Sequence, residues 1–226
     1  MPASHLKRKI APKTWPILRK TTTFIARPKP KGQPIGLTLP VVVVLRDILG
    51  VAQTAGQVRK ILRSAEIKVN GTRVYDTDAA VGFMDILETV DTKHRLVINA
   101  NNTLDIVPVR KGEEFIVEKV TGLTSLRGGR TQLNCASGRT AIVEKGAYRP
   151  GDSVQVTLDG KLGERYPLQQ GVAVLLTGGK HIGMTGKVVD LAGGTVTVEA
   201  DGITFTTRKG NAYVVGKEKP AITLKE

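Results

Sequence analysis

The stretch TAGQVRKILRSAEIKVNGTRV, residues 54–74, predicts a helix followed by a tight β-hairpin. Thr54 is a favourable helix N-cap, and Gln57 three residues later completes a capping-box pattern. Asn70-Gly71 lies between two short runs of strand-forming residues and predicts a type I′ turn, since both residues tolerate positive φ. Apolar residues at spacings of three and four give the helix one packing face, formed by Val58, Ile61, Leu62 and Ala65.

The helix-hairpin also carries a strong positive charge. Its only acidic residue is Glu66, so a polyanion would meet a positive surface there, and nucleic acid is the obvious candidate. The basic residues are Arg59, Lys60, Arg63, Lys68 and Arg73.

The charge of the whole chain supports this interpretation. Its 226 residues have a formal net charge of +14 at pH 7, which favours phosphate backbones or an anionic membrane surface as partners. No apolar run approaches the roughly 20 residues of a membrane-spanning helix. The N-terminus lacks the apolar core of a secretory signal. We therefore expect a cytoplasmic protein that does not bind membranes.

The first 37 residues contain nine Lys or Arg, no acidic residue and six prolines, which exclude a long helix or a central strand. We expect an extended basic arm that becomes ordered on a partner; a disordered leader that only aids solubility is the alternative. Trp15 could stack on a base or anchor the arm against a folded domain. The cations of the arm are Lys7, Arg8, Lys9, Lys13, Arg19, Lys20, Arg27, Lys29 and Lys31.

Two glycine-rich turns further along the chain are candidate phosphate contacts. Arg127 and Arg130 flank Gly128-Gly129, although a plain solvated loop is as consistent with the sequence. The segment GGKHIGMTGKV, residues 178–188, is not a Walker loop, because histidine replaces a required glycine and valine replaces the required Ser or Thr. Its glycines instead suit turns of a small barrel, with an RNA-facing loop lined by Lys180, His181, Lys187 and Arg208.

The cysteine, histidine and carboxylate residues do not form a catalytic or metal-binding pattern. Cys135 is the single cysteine and lies between strand-like segments, which indicates a buried structural thiol. The three histidines are far apart in sequence, without metal-ligand spacing. The carboxylates after the hairpin lack a nearby histidine, lysine or metal motif for general acid–base work. We predict no catalytic residues, no metal, no other cofactor and no small-molecule substrate.

These patterns predict an α+β, predominantly β, multi-domain protein. Thr38 to Gly50 is expected to form a further helix, with Thr38 as its cap and Pro40 in its first turn. Short alternating segments with regular turn signals indicate a small all-β domain in the middle of the chain. The predicted domains are a basic arm (1–37), a helix-hairpin domain (38–92), a central β domain (93–170) and a small barrel with a C-terminal segment (171–226).

The order of these parts resembles the archaeal and eukaryotic small-subunit ribosomal protein family S-four-e. The resemblance rests on HLKRKIAPKTWP in the leader, VNGTRV in the hairpin and GGKHIGMTGKV followed by FTTR, and it covers nearly all of the chain. It implies an S-four-type RNA-binding unit, a central β domain and an SH3-like barrel of the KOW type. Little sequence follows the barrel, which fits an archaeal member better than a eukaryotic one.

The resemblance further implies a structural constituent of the small ribosomal subunit that supports subunit assembly and translation. Its partners would be small-subunit ribosomal RNA and neighbouring ribosomal proteins. RNA contacts are then implied for Lys7, Arg8, Lys9, Lys13, Arg19 and Lys20, for the five basic residues of the helix-hairpin, and for Lys180 and Lys187. The alternatives are an RNA-modifying enzyme that uses the helix-hairpin for docking, and a KOW-containing transcription or translation factor that binds RNA transiently.

Overall fold

The computed structural model describes residues 5–90, 92–144, 148–200 and 202–224 and is mostly β, with few helices and several sheets. The chain divides into two units. Unit 1 runs to Val97 and includes Thr103–Val109; unit 2 comprises Ile98–Asn102 and the chain from Arg110 onward. None of the helices in the described ranges is long and apolar enough to cross a membrane.

Unit 1 contains both helices and three small sheets. Strands β1 and β2 pair with each other, β3 pairs with β6, and the largest sheet has the order β5-β4-β7-β8-β9. In chain order the elements are β1 (Leu6–Lys7), β2 (Phe24–Ile25), β3 (Thr38–Pro40), α1 (Val41–Val43), a π-helical turn (Val44–Ile48), α2 (Ala55–Ser64), β4 (Lys68–Val69), β5 (Thr72–Arg73), β6 (Ala80–Gly82), β7 (Ile86–Glu88), β8 (Lys93–Ile98) and β9 (Leu104–Pro108); short 3₁₀ turns lie at Arg8–Ile10 and Ile35–Leu37.

The helix-hairpin prediction is confirmed. Thr54 Oγ1 accepts a hydrogen bond from the Gln57 backbone N–H at 3.2 Å, and Gln57 Oε1 accepts one from the Thr54 N–H at 3.1 Å, which completes the capping box. Val58 and Leu62 on the apolar face are fully buried. The φ values of Asn70 and Gly71 are 54° and 79°, as a type I′ turn between β4 and β5 requires.

The expected helix from Thr38 begins later than predicted. Thr38–Pro40 forms strand β3, which pairs with β6, and only the residues after Pro40 are helical. The backbone N–H groups of Val41 and Val42 donate to the carbonyls of Ala79 and Thr77 at 2.9 and 3.0 Å. Long-range hydrogen bonds, not a side-chain cap, therefore satisfy the backbone N–H groups at the start of this helix.

The described part of the leader, residues 5–37, is folded onto unit 1 and is not simply an extended solvated arm. Trp15 is 2% exposed, and its Nε1 donates to the Ile35 carbonyl at 3.1 Å. Thr14 accepts a backbone hydrogen bond from Leu104 at 2.7 Å. Lys31 forms an ion pair with the buried carboxylate of Asp85. The leader is thus attached to unit 1 at several separate positions.

Asp85 is the polar centre of that attachment. Its carboxylate also accepts hydrogen bonds from the Gly82 backbone N–H at 2.5 Å and from Asn70 Nδ2 at 2.6 Å. Asn70 Oδ1 in turn accepts from the Ile86 N–H at 2.8 Å. A buried charge is tolerated when it is paired and hydrogen-bonded in this way. The hairpin turn and the leader therefore share one buried network.

Unit 2 contains two antiparallel five-stranded sheets, with orders β12-β11-β10-β13-β14 and β18-β17-β16-β15-β19. The short strand segments expected between turn signals are present, and β14 is a strand without such a sequence pattern. The elements are β10 (Phe115–Ser125), β11 (Thr131–Cys135), β12 (Thr140–Val143), β13 (Ser153–Thr157), β14 (Leu162–Tyr166), β15 (Ala173–Leu176), β16 (Thr185–Ala192), β17 (Thr195–Ala200), β18 (Ile203–Arg208), a 3₁₀ turn (Lys209–Asn211) and β19 (Ala212–Gly216).

Cys135 is buried in the first of these sheets. Burial, with a smaller contribution from Glu118, raises the pKa of its thiol to about 11, so the reactive thiolate is disfavoured. This agrees with the structural thiol expected from the sequence.

A buried lysine joins the two sheets of unit 2. Lys119 on β10 donates from Nζ to the carbonyls of Lys209, Gly210 and Ala212 at 3.3, 2.7 and 2.6 Å. The Tyr213 hydroxyl donates to the Val117 carbonyl at 2.6 Å and accepts from the Lys119 N–H at 3.2 Å. β10 and the start of β19 are therefore fixed together by polar contacts as well as by apolar packing.

Candidate nucleic-acid interface

Most of the predicted RNA-binding side chains lie on the surface, where phosphates could reach them. Arg19, Lys31, Lys68 and His181 are partly buried, and Arg8 and Trp15 are buried. The exposed residues of the predicted set are Lys7, Lys9, Lys13, Lys20, Arg27, Lys29, Arg59, Lys60, Arg63, Arg73, Arg127, Arg130, Lys180, Lys187 and Arg208.

The structure gives several of the leader residues internal roles. Arg8 Nη1 donates to the Leu18 carbonyl at 2.7 Å, and Arg19 donates to the carbonyls of Ala11 and Pro12, both at 2.7 Å. These guanidinium groups hold the proline-containing turns of the leader. Trp15 lies in the core and anchors the leader, which was one of the two roles expected for it, so its ring is not placed to stack on a base. Arg8 and Trp15 are therefore omitted from the interface proposed below.

Four cations of the leader come together on one surface. Lys7, Lys9, Arg19 and Lys20 line a hollow of about 440 Å³ with the hydroxyl-bearing residues 21–23. Cations and hydroxyl groups are the side-chain types that most often contact phosphate oxygens. Because the leader contains no acidic residue, this hollow has no carboxylate from its own segment to repel phosphate.

A larger groove of about 1150 Å³ lies within unit 1 between the leader and the helical residues that follow it. Arg59 of α2 lines its wall with Arg46, Asp47 and leader residues 16–18 and 21–26. Arg46 Nε and Nη2 donate to the two carboxylate oxygens of Asp47 at 2.8 and 2.7 Å, a hydrogen-bonded pair that raises the pKa of Arg46. Arg59 is thus the predicted RNA-binding residue of the helix that faces the same groove as the leader.

The remaining cations of the helix-hairpin do not share that groove. Lys60 lines a separate hollow with residues 50–53. Lys68 forms a surface ion pair with Glu66 at 3.1 Å, and the guanidinium of Arg73 lies 4.9 Å from the centre of the Tyr75 ring. These contacts orient the side chains on the exposed surface, but exposed pairs of this kind contribute little to stability.

In unit 2 the structure brings together Lys180, His181 and Arg208. They line a hollow of about 550 Å³ with Gly179, Asn211 and two threonines of β18. The His181 ring is stacked on Phe205, with 4.1 Å between ring centres and 15° between planes. Lys187 lies on β16 outside this group.

The loop that carries Lys180 and His181 has a fixed conformation. Gly183 has a φ of 77°, and a Cβ there would overlap the backbone carbonyl of Asn99. Only glycine combines this φ with so close a backbone approach. Arg127 and Arg130, in contrast, lie in a solvent-exposed turn between β10 and β11. A 2.8 Å hydrogen bond from the Leu126 N–H to the Arg130 carbonyl spans this turn.

Nothing in these hollows resembles a metal centre. In the described ranges, no three His, Cys, Asp or Glu side chains are grouped closely enough to hold a metal ion. The candidate site is thus a set of exposed cations with neighbouring hydroxyl, amide and aromatic groups.

A curated protein of Methanocella arvoryzae, "Small ribosomal subunit protein eS4", is 35% identical to this chain over 231 residues, which cover 98% of each sequence. The chain belongs to the S4e family of ribosomal proteins. A family model described as "Ribosomal family S4e", the S-four-e family of the sequence resemblance, matches residues 90–161. A second, the "RS4NT (NUC023) domain", matches residues 2–30.

Other S4e proteins give the same result. The eS4 protein of Staphylothermus marinus is 32% identical over 241 residues, covering 98% of this chain and 96% of the relative. A solved structure of the 30S ribosomal protein S4e from Thermoplasma acidophilum superimposes with a TM-score of 0.70 at 27% identity, covering 80% of this chain and 96% of that one. The S4e fold is therefore supported by both sequence and structure.

Two features of this S4e chain were not found by sequence reasoning. Phe24 is 54% exposed beside Lys7, although the tryptophan of the same segment had drawn the stacking prediction. β1 and β2 have only two residues each, which is too short for an alternating pattern to show which side chains are exposed and which are buried. The second is Asp85, whose role has no local signal because its partners Lys31 and Asn70 are distant in sequence.

Proposed function

We propose that this chain is a structural constituent of the small ribosomal subunit that binds ribosomal RNA, works in the cytoplasm and contacts neighbouring small-subunit proteins. Its near-complete alignment with proteins named eS4 carries the proposal. The exposed cations supply the physical mechanism, because Lys and Arg replace counterions released from phosphates.

The proposed domains follow the sequence pattern. Residues 38–92 form an S-four-type RNA-binding unit, residues 93–170 a central β domain, and residues 171–226 an SH3-like barrel of the KOW type. Strands β8 and β9 nevertheless pair into the hairpin sheet, so the first of these boundaries does not coincide with the division between the two units. The capped basic helix with its Asn-Gly hairpin supports the first assignment. The antiparallel sheet β18-β17-β16-β15-β19 supports the last.

The proposed RNA contacts come from both units. In unit 1 the leader contributes exposed lysines around the hollow at residues 21–23, and α2 contributes Arg59. In unit 2 the hollow at Gly179 contributes Lys180 and Arg208, and the turn between β10 and β11 contributes Arg127 and Arg130. The other exposed cations extend these groups. Double-stranded RNA would be recognised through its shape and 2′-hydroxyls, and unpaired bases would supply any sequence preference.

The contribution of the leader is tested with a charge-matched pair of full-length variants. One replaces Lys7, Lys9, Lys13 and Lys20 with glutamine. The control replaces four other exposed lysines, namely Lys111, Lys161, Lys217 and Lys219. Affinity for small-subunit ribosomal RNA is measured by filter binding over a range of salt concentrations.

The leader variant should lose affinity, and the slope of log affinity against log salt should fall by about 3, since each phosphate contact contributes roughly 0.7 to 0.9. The control should keep most of the slope. Equal losses in the two variants would show that only net charge matters and would contradict a specific leader surface. Substitution is preferable to deletion of residues 1–37, because Trp15 and Arg8 are part of the folded unit.

Sedimentation distinguishes a subunit constituent from a transient factor. After a moderate salt wash, a constituent should remain with small subunits in a sucrose gradient, whereas a factor should be released. Complete release of the wild-type chain under conditions that retain other small-subunit proteins would contradict the proposal.

A further inference from the structure

One aromatic side chain of the leader is exposed beside several of its cations. Phe24 is 54% exposed, whereas Trp15 in the same segment is 2% exposed. Phe24 and Lys7 are direct cross-strand partners in the β1–β2 ribbon, so their side chains project from the same face. Leu6 and Ile25, the other pair, project from the opposite face, where Ile25 is buried.

The Phe24 ring is held in place from one side only. The His5 ring meets it perpendicularly, with 5.4 Å between ring centres and 86° between planes. Edge-to-face pairs of this kind stabilise an aromatic ring in a defined orientation. More than half of Phe24 nevertheless remains accessible to solvent. The ribbon thus presents an oriented aromatic ring that is more than half exposed in the described part of the chain.

Cations predominate around Phe24, although the 1150 Å³ groove that it lines also carries Asp78 and Asp47, the latter paired with Arg46. Lys7 lies beside it on the ribbon, and Lys7, Lys9, Arg19 and Lys20 line the adjoining hollow at residues 21–23. An exposed aromatic ring among cations matches single-stranded nucleic acid, in which bases stack on aromatic side chains and phosphates pair with Lys and Arg. A purely apolar protein partner would leave these cations without a counter-charge.

We propose that Phe24, oriented by His5, stacks on an unpaired base of the ribosomal RNA while Lys7 and its neighbouring cations pair with the flanking phosphates. This inference rests on the proposed ribosomal function and adds the kind of RNA element that the leader binds: a loop or bulge with an unstacked base, not a continuous duplex. Phe24 thereby takes the stacking role that the sequence had suggested for Trp15.

The test uses full-length protein with Phe24→Leu, which keeps an apolar side chain, and Phe24→Tyr, which keeps the ring. Leu18→Ala is the matched control, because Leu18 is also an exposed apolar residue of the leader, at 75%. Affinity for small-subunit ribosomal RNA is measured against salt concentration. Trp15 fluorescence verifies that the leader of each variant remains packed.

Phe24→Leu should lower RNA affinity by about five- to a hundredfold, the range expected for one lost base–aromatic stack, without changing the salt slope. Phe24→Tyr and Leu18→Ala should bind nearly as the wild type does. Lys7→Gln should instead lower the slope by roughly 0.7 to 0.9, since it removes a phosphate contact.

Three results would overturn the inference in distinguishable ways. If the wild type binds the RNA and Phe24→Leu binds equally well, stacking is wrong and the ribosomal function stands. If both Phe24→Leu and Leu18→Ala bind RNA normally but are poorly retained in reconstituted subunits, this surface docks a neighbouring protein. If the wild type itself does not bind the RNA, the proposed function fails with the inference.

Discussion

Replacing Lys119 with methionine should destabilise unit 2 and change how its stability depends on pH. The variant keeps most of the apolar stem but removes the ammonium group that donates to three backbone carbonyls. Hydrogen bonds to charged groups contribute about 1.5–3 kcal/mol each, while burial of the charge opposes them. We expect a net loss of about 1–3 kcal/mol in the free energy of unfolding at pH 7.

The pH dependence follows from the pKa of this lysine. Burial, followed by the charge of Lys209, lowers the pKa of Lys119 from 10.5 to about 8 in the folded protein. Between these two values the unfolded chain binds the proton and the folded chain does not, so the wild type becomes more stable as pH rises. Below pH 8 the cost of burying the charge is fully present. The shift corresponds to at most about 3 kcal/mol.

The assay is urea unfolding of both proteins by circular dichroism at several pH values from neutral to 10.5. Other groups titrate in the same window, so the informative quantity is the difference in unfolding free energy between wild type and Lys119→Met. That difference should grow by up to about 3 kcal/mol between pH 8 and 10.5. Lys111→Met, at an exposed turn, is the control. A difference that stays constant with pH, or shrinks, would refute the reasoning.

Three further substitutions test the local arguments. Thr54→Ala should lower the unfolding free energy by about 1 kcal/mol because α2 loses its cap, measured by urea unfolding with Thr54→Ser as a control that retains the hydroxyl. Asp85→Asn should cost about 3 kcal/mol, since it removes the buried carboxylate that pairs with the partly buried Lys31, and the loss should be visible in Trp15 fluorescence at a lower urea midpoint. Gly183→Ala should destabilise unit 2 by about 2 kcal/mol or more through overlap with the Asn99 carbonyl; an unchanged thermal midpoint would contradict the geometry.

The sequence predicted the helix-hairpin well because its signals are local. Thr54 and Gln57 are three residues apart, and Asn70-Gly71 fixes the turn by its own φ preferences. Most strands of unit 2 were predictable for the same reason, as they are runs of strand-forming residues bounded by turn signals. The exception is β14, with the sequence LGERY. Its glycine and adjacent charged residues do not indicate a strand.

Predictions failed where distant partners decide the structure. Thr38–Pro40 is a strand because β6 lies beside it, about forty residues later. The leader was expected to be an extended arm because its own residues offer no core, yet Asp85 and Leu104 supply contacts from later in the chain. Charge alone could not show that Arg8 and Arg19 are occupied with backbone carbonyls. The sequence therefore predicted that the candidate interface is basic, but not which of its basic side chains are free of internal hydrogen bonds and exposed to RNA.

The attachment of the leader has a consequence for the newly made chain on a translating ribosome. The leader emerges first, but Asp85, 54 residues after Lys31, and Leu104, which donates to Thr14, must leave the exit tunnel before it can dock. During that interval the leader lacks the Asp85 carboxylate, and its own segment supplies no acidic residue to offset its nine cations. Lys31 and Thr14 can therefore reach their native partners only after residues 85 and 104 have been synthesised, whereas the contacts of Arg8 and Arg19 with leader carbonyls need no later residue.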